Sequence, residues 1–294
     1  MLKNMNNKFA LGTAQFGLSY GISNLNGQVP KDVVKKIIKY AKNKGVYTLD
    51  TAINYGSSEE CLGDVNVKDW DIVTKLPIIP QDCLNIFDWV TQQVEGSLHR
   101  LKVSHISALM VHQSFQLQES YGRNLWSAMQ TLKDKGVIKK VGFSIYEPKE
   151  LDQLWDDFKP DIIQSPFNVF DDRLRSSGWL TKLNNNKVEV QVRSVFLQGL
   201  LLMKKNQRPE KFDYWSNIWE EWDSWLQDNN VTALQACLAF ALLDNSINKV
   251  VIGIDNLIQL EEILSTDYAI ITRFPDFEPI NNLDLINPTR WNFL

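Results

Sequence analysis

Eight short runs of β-branched and apolar residues, each followed by a stretch with helical periodicity, constrain this chain more than any other feature. Strands are expected at 8–13, 46–50, 71–76, 106–112, 139–144, 161–167, 189–196 and 249–254. Most are apolar along their length rather than alternating, the pattern of a parallel sheet covered on both faces. Between the first two, residues 31–45 place Val33, Val34, Ile37, Ile38 and Ala41 on one helical face, with Pro30 before and Gly45 after as start and stop signals. Further helices are expected over 86–101, 125–135, 149–158, 172–184, 231–245 and 257–264. Eight strand and helix pairs predict an α/β chain of the (β/α)8 TIM-barrel type, as one domain over 1–294. An open doubly wound sheet is the alternative, but the first turn, "GTAQFGLSYG", lacks GxGxxG spacing.

A formal net charge of -4 lacks the basic excess a nucleic-acid binder needs to neutralise phosphates. Cys61, Cys83 and Cys237 are odd in number and without CxxC spacing, which points to reduced thiols and to neither a disulfide framework nor zinc. The N-terminus has no apolar run of signal-peptide length, and the longest apolar stretch, "VTALQACLAFALL", is too short to span a bilayer. A cytoplasmic protein without nucleic-acid or membrane partners is expected.

In a barrel, chemistry is sought where strands end. Strand two ends at Asp50 with Tyr55 just beyond, strand three at Lys75 and strand four at His112. Strand five ends at Ser144, strand six at Gln164 with Asn168 beyond, and strand seven holds Arg193 and Ser194. Singly, each has a bland reading: an N-cap for Asp50, packing for Tyr55, a solvent-facing Lys75, a hydrogen-bonded core histidine. Jointly they suit proton transfer. A phenol with a pKa of about 10 donates poorly at neutral pH unless its phenolate is stabilised. Lys75 would lower the Tyr55 pKa, Asp50 would pair with Lys75, and His112 would hydrogen-bond the substrate oxygen. Such a site suits hydride addition to a carbonyl, where charge develops on oxygen.

With "LDTAINYGSSEE", "VTKL", "LMVHQ", "VGFS" and "VVIGIDNLIQLEEIL" in this order, the chain resembles the aldo-keto reductase superfamily. The resemblance implies a (β/α)8 barrel and a nicotinamide cofactor bound without a Rossmann motif. It makes Tyr55 the general acid, Lys75 and Asp50 the pair that tunes it, and His112 the carbonyl-orienting residue. It further implies that Ser144 and Gln164 hold the nicotinamide carboxamide. Gly12 and Thr13 would contact the cofactor from strand one. Ser194, Phe196, Gln198 and Gly199 would cover the pyrophosphate, and Gly253, Asp255, Asn256, Gln259 and Glu262 would face the adenosine.

Three departures stand out. The usual Ser-Asn pair is Ser144-Ile145 here, with Asn168 as a substitute donor, and Arg193 replaces an aromatic that stacks on the nicotinamide. Asp255, Asn256 and Gln259 replace the basic residues that meet a 2'-phosphate. Family precedent thus slightly favours NADP(H) over NAD(H), while Asp255 suits a free ribose hydroxyl. Gln15, Phe16 and Tyr20, with Tyr55 and His112, are expected to contact a small carbonyl substrate. The opening and the "NPTRW" ending look like a branch associated with surface-polysaccharide and sugar modification, pointing to a keto sugar. Trp215, Trp219 and Trp222 lie on one helix face and read as core, and the proline-bearing C-terminal tail reads as a wrap near the barrel mouth. A monomer or homodimer is expected. A cofactor-binding regulatory or accessory protein with little turnover is the alternative function. His99, His105 and His112 offer no metal-ligand spacing.

Overall fold

The computed structural model describes residues 5–269, 271, 274 and 282–293. Eight parallel strands close into a barrel, each paired with its sequence neighbour and β8 returning to β1. They are β1 (Phe9–Gly12), β2 (Thr48–Asp50), β3 (Asp71–Leu76), β4 (Ile106–Val111), β5 (Ile138–Ser144), β6 (Ile162–Pro166), β7 (Glu189–Arg193) and β8 (Lys249–Gly253).

Side chains alternate across each strand, so one set packs against the helices and the other fills the barrel. Leu49, Ile72, Leu109, Val190 and Val192 belong to the large outer core, whereas Val73, Ala108, Met110 and Ile162 form a separate inner cluster. The same alternation turns Asp50, Lys75 and Gln164 inward above that cluster. Gly142 on β5 is required by close packing, since a Cβ there would lie 1.8 Å from the Ile162 carbonyl oxygen.

The expected helices form with adjusted ends. The first runs over Lys31–Asn43 and buries Val34, Ile37, Ile38 and Ala41, while Gly45 takes a left-handed φ of 87° to end it. The helix expected over 172–184 is two, Arg173–Ser176 and Trp179–Asn185, because Gly178 adopts φ 80° between them. Strand seven stops at Arg193 rather than 196, since Ser194 adopts φ 59°. Trp215, Trp219 and Trp222 are buried in the core, as their spacing predicts. In the tail, residues 275–281 lie outside the described residues, and Trp291 packs edge-on against Phe212 at 5.0 Å. The described end of the tail is therefore anchored outside the barrel sheet.

Candidate active site

The carboxyl ends of the strands bring the sequence-predicted polar residues together. Lys75, fully buried, donates to Asp50 Oδ1 at 2.7 Å and to the Thr51 carbonyl at 2.9 Å. Gln164 reaches across from β6 and donates to the same Asp50 oxygen at 2.7 Å. Two buried charges are thus paired and further hydrogen-bonded, which is how such a pair survives desolvation.

Tyr55 lies over this pair. Its ring centroid is 5.3 Å from Lys75 Nζ and 5.7 Å from the His112 ring, edge to face. The turn that carries Tyr55 is tied down from below: the Ser58 hydroxyl donates to the Thr13 carbonyl at 2.9 Å, and Gly17 packs so closely that a Cβ would lie 1.8 Å from the Tyr55 carbonyl oxygen. Ser57, at the N-cap of the helix Ser58–Asp64, makes no side-chain capping bond.

The electrostatics reverse one expectation. Burial, reinforced by the Asp50 charge, pushes the Tyr55 phenol well above its ordinary range, and Arg193 is the cation that pulls it down. Lys75 is held at close range by Asp50, so the positive charge it presents to the phenol is partly offset and burial dominates. Burial lowers the Lys75 ammonium against the opposing pull of Asp50. Burial, with the charges of Lys75 and Arg193, drives the His112 imidazole down to about 3, so it is neutral at physiological pH. His112 Nδ1 lies 3.1 Å from Asn54 Oδ1. Nothing in the spacing of the motif singles out Asn54, because only the folded turn brings it to the ring.

A cavity of about 720 Å³ opens beside Asp50 and Tyr55. Gly12, Thr13, Gln15 and Tyr20 border it from β1 and the loop after it. From the β7 side come Arg193, Ser194, Phe196, Gln198 and Gly199, and from the β8 side Gly253, Asp255, Gln259 and Glu262. The two rims meet: Ser23 donates to the Gln198 carbonyl at 3.2 Å, and Gln198 donates to the Tyr20 hydroxyl at 3.2 Å. Gly199 is required there, since it takes φ 90° and a Cβ would lie 2.1 Å from Ser23 Oγ. Lys204 and Arg208 also border the cavity. The sequence reading missed them because they lie several residues past the strand end.

Several expected contacts take other roles. Phe16 is fully buried in the outer core and does not border this cavity. Asn256 caps the helix Leu257–Ser265, accepting from the Gln259 amide at 2.9 Å. Ser144 and Gln164 are buried in register with each other and do not border the cavity. Asn168, the substitute donor, instead donates to the Ser194 carbonyl at 3.0 Å and accepts from the Phe170 amide at 2.9 Å. Asp255 keeps its cavity position. Gln259 Oε1 accepts from its amide at 2.8 Å, while its own Oδ1 is buried and has no hydrogen-bond partner among the described residues.

Among the described residues no cluster of three or more His, Cys, Asp or Glu could hold a metal ion, and no helix is long and apolar enough to cross a membrane.

A closed (β/α)8 barrel thus carries an acid, a lysine, a phenol and an imidazole at its mouth. The chain belongs to the aldo/keto reductase family, whose sequence profile matches residues 8–267. It is 27% identical over 209 residues to the oxidoreductase YqkF of Bacillus subtilis, covering 67% of each chain. It is 30% identical over 122 residues to a D-arabinose 1-dehydrogenase of Saccharomyces cerevisiae, covering 38% of this chain and 36% of that one. The chain thus spans between about a third and two thirds of these curated relatives. In structure it resembles a glycerol dehydrogenase of Gluconobacter oxydans, with a TM-score of 0.67 and 22% identity over 87% of this chain and 85% of that one. It also resembles the holo form of an aldo-keto reductase of Bacillus halodurans, with a TM-score of 0.68 and 18% identity over 91% and 87%.

Proposed function

We propose that this chain reduces a small carbonyl compound with a nicotinamide cofactor, using Tyr55 as the proton donor. The observation that carries this reading is the buried Asp50–Lys75 ion pair beneath a phenol that keeps its proton at neutral pH. The cofactor supplies a hydride when bound. Tyr55 holds its proton until charge grows on the substrate oxygen and then releases it there, where the donor is most effective. Lys75 and Asp50 fix the floor beneath the ring, and the Lys75 charge offsets the phenolate that forms.

His112, neutral, orients the oxygen through Nε2–H. That tautomer requires Nδ1 to accept, which calls for the exposed Asn54 amide to turn its NH2 to the ring, the reverse of the orientation in the free protein.

The cavity suits a dinucleotide. Its β8 wall offers an acceptor with no partner among the described residues, Asp255 Oδ1, which matches a ribose hydroxyl donor. We therefore favour NAD(H) at this wall, against the slight family preference for NADP(H). Gln15, Tyr20 and Gln198 give the mouth a polar rim that fits a hydroxylated substrate. The names of the sugar and polyol dehydrogenases among the similar proteins support a keto sugar or sugar-derived carbonyl. Cytoplasmic residence as a monomer or homodimer completes the reading.

Replacing Tyr55 by Phe is expected to cut turnover by about 10²- to 10⁴-fold while leaving cofactor affinity nearly unchanged. Turnover equal to wild type in that variant would overturn the assignment. A panel of keto sugars and simple aldehydes, assayed with NADH and NADPH, tests the substrate and cofactor classes.

A further inference from the structure

Among the described residues, arginines have carboxylate partners, with one exception. Arg100, Arg123, Arg173, Arg175, Arg208 and Arg290 each hold a carboxylate oxygen within 3.1 Å. Arg193, alone among the described arginines, has only neutral neighbours at its guanidinium. It donates to Ser194 Oγ at 3.3 Å and to the Ile145 carbonyl at 3.1 Å, and its guanidinium carbon lies 4.6 Å over the Tyr146 ring. A half-buried cation left without a counter-ion is unfavourable unless something compensates it. Its position gives it a use, for Arg193 borders the cavity together with Asp50 and Tyr55.

The catalytic end therefore carries one excess positive charge. Lys75 and Asp50 cancel each other at 2.7 Å, and Arg193 remains. Its field is felt around it: it pulls the Tyr55 phenol down and helps push Lys75 and His112 towards their neutral forms.

Chemistry restricts where a nicotinamide can lie. The substrate oxygen must sit within hydrogen-bond reach of Tyr55, about 3 Å, and the carbon bonded to it must sit about 3 to 3.5 Å from the hydride donor. The ring is thereby held close to Tyr55 and inside the field of Arg193. Reduced nicotinamide is neutral and oxidised nicotinamide is a cation. We propose that the uncompensated Arg193 makes the site discriminate between the redox forms of its cofactor, favouring the reduced form over the oxidised one.

This inference rests on the reading of the chain as a nicotinamide-dependent reductase. It has a direct consequence for turnover: the reduced form loads the site, and the cationic product is repelled from it. The transfer step itself is affected less. As hydride leaves, the ring gains a positive charge while the substrate oxygen gains a negative one and takes the Tyr55 proton, so Arg193 acts on both with opposite sign.

The test is a ratio of affinities. Trp222 borders the cavity, so binding is followed by quenching of tryptophan fluorescence in wild type, Arg193→Met, Arg193→Gln and Arg193→Lys. The oxidised and reduced forms of one cofactor share their phosphates and adenosine, which cancel in the ratio of their Kd values. So does any unfolded fraction of a variant. Wild type is expected to bind the reduced form more tightly. Both neutral variants should lower that preference by about 10-fold, the scale of one charge acting across a partly solvated cavity. Arg193→Lys, which keeps the charge but not the plane, should retain most of it. An unchanged ratio in the Met and Gln variants overturns the proposal, as does an equal loss in the Lys variant, which would trace the preference to stacking. If wild type binds neither form, the reductase reading fails instead.

Discussion

The two walls of the cavity treat a carboxylate in opposite ways. Asp50, at the catalytic end, accepts from both Lys75 and Gln164, and its counter-charge is fully buried beside it. Asp255, at the β8 end, has no ion-pair partner among the described residues and one buried oxygen without a hydrogen-bond partner there. The same residue type is completed by the chain in one place and left incomplete in the other. A completed carboxylate belongs to a fixed floor, whereas an incomplete one is a vacancy for a ligand donor.

The largest effect should come from opening the fixed floor. Lys75→Met strands the buried Asp50 charge and is expected to destabilise the protein by about 3–5 kcal/mol, measured by chemical denaturation. Combining it with Asp50→Asn should recover a substantial part of that loss; an additive pair would mean that the two residues do not act as a unit.

Acid probes the same end at a smaller scale. The folded state holds the His112 pKa at about 3, below the usual 6.5, so between these values the unfolded chain binds more protons. Stability due to this group is present above about pH 6.5 and is lost as pH falls towards 3. At pH 5 the loss is about 2 kcal/mol. A His112→Gln variant should lack this component, so the difference between its stability at pH 8 and at pH 5 should be smaller than that of wild type.

At the β8 wall the sign reverses. Burial raises the Asp255 pKa, so stability from this group falls as pH rises above about 3.8, the ordinary carboxyl value. Asp255→Asn should stabilise the free protein at neutral pH by up to about 1 kcal/mol. It should also narrow the difference in affinity between NADH and NADPH. Loss of stability in that variant would place Asp255 with Asp50, as part of the floor.

The comparison also separates what sequence could specify from what it could not. Barrel order was legible because each strand and helix pair is written locally, in apolar runs and in Pro30 and Gly45. The meeting of Asp50, Lys75 and Gln164 was legible in kind, since residues that end neighbouring strands must share one rim. The balance of forces on Tyr55 was not. Local sequence says that a cation is nearby but not that Asp50 has already neutralised it, nor that burial outweighs it. Phe16 was misplaced for a similar reason, because its turn into the core depends on the closed sheet. Ser194 ended β7 early through a left-handed φ that no serine announces. Asn256 followed its helix-capping chemistry, which a cofactor-centred reading passed over.

The junction between Ser23, Tyr20 and Gln198 joins segments some 175 residues apart at the rim. Engineers who exchange the loop after β1 for one from a relative would need to bring the matching β7 loop with it. The two rims are coupled through these bonds, and a graft of either loop alone is expected to lose them.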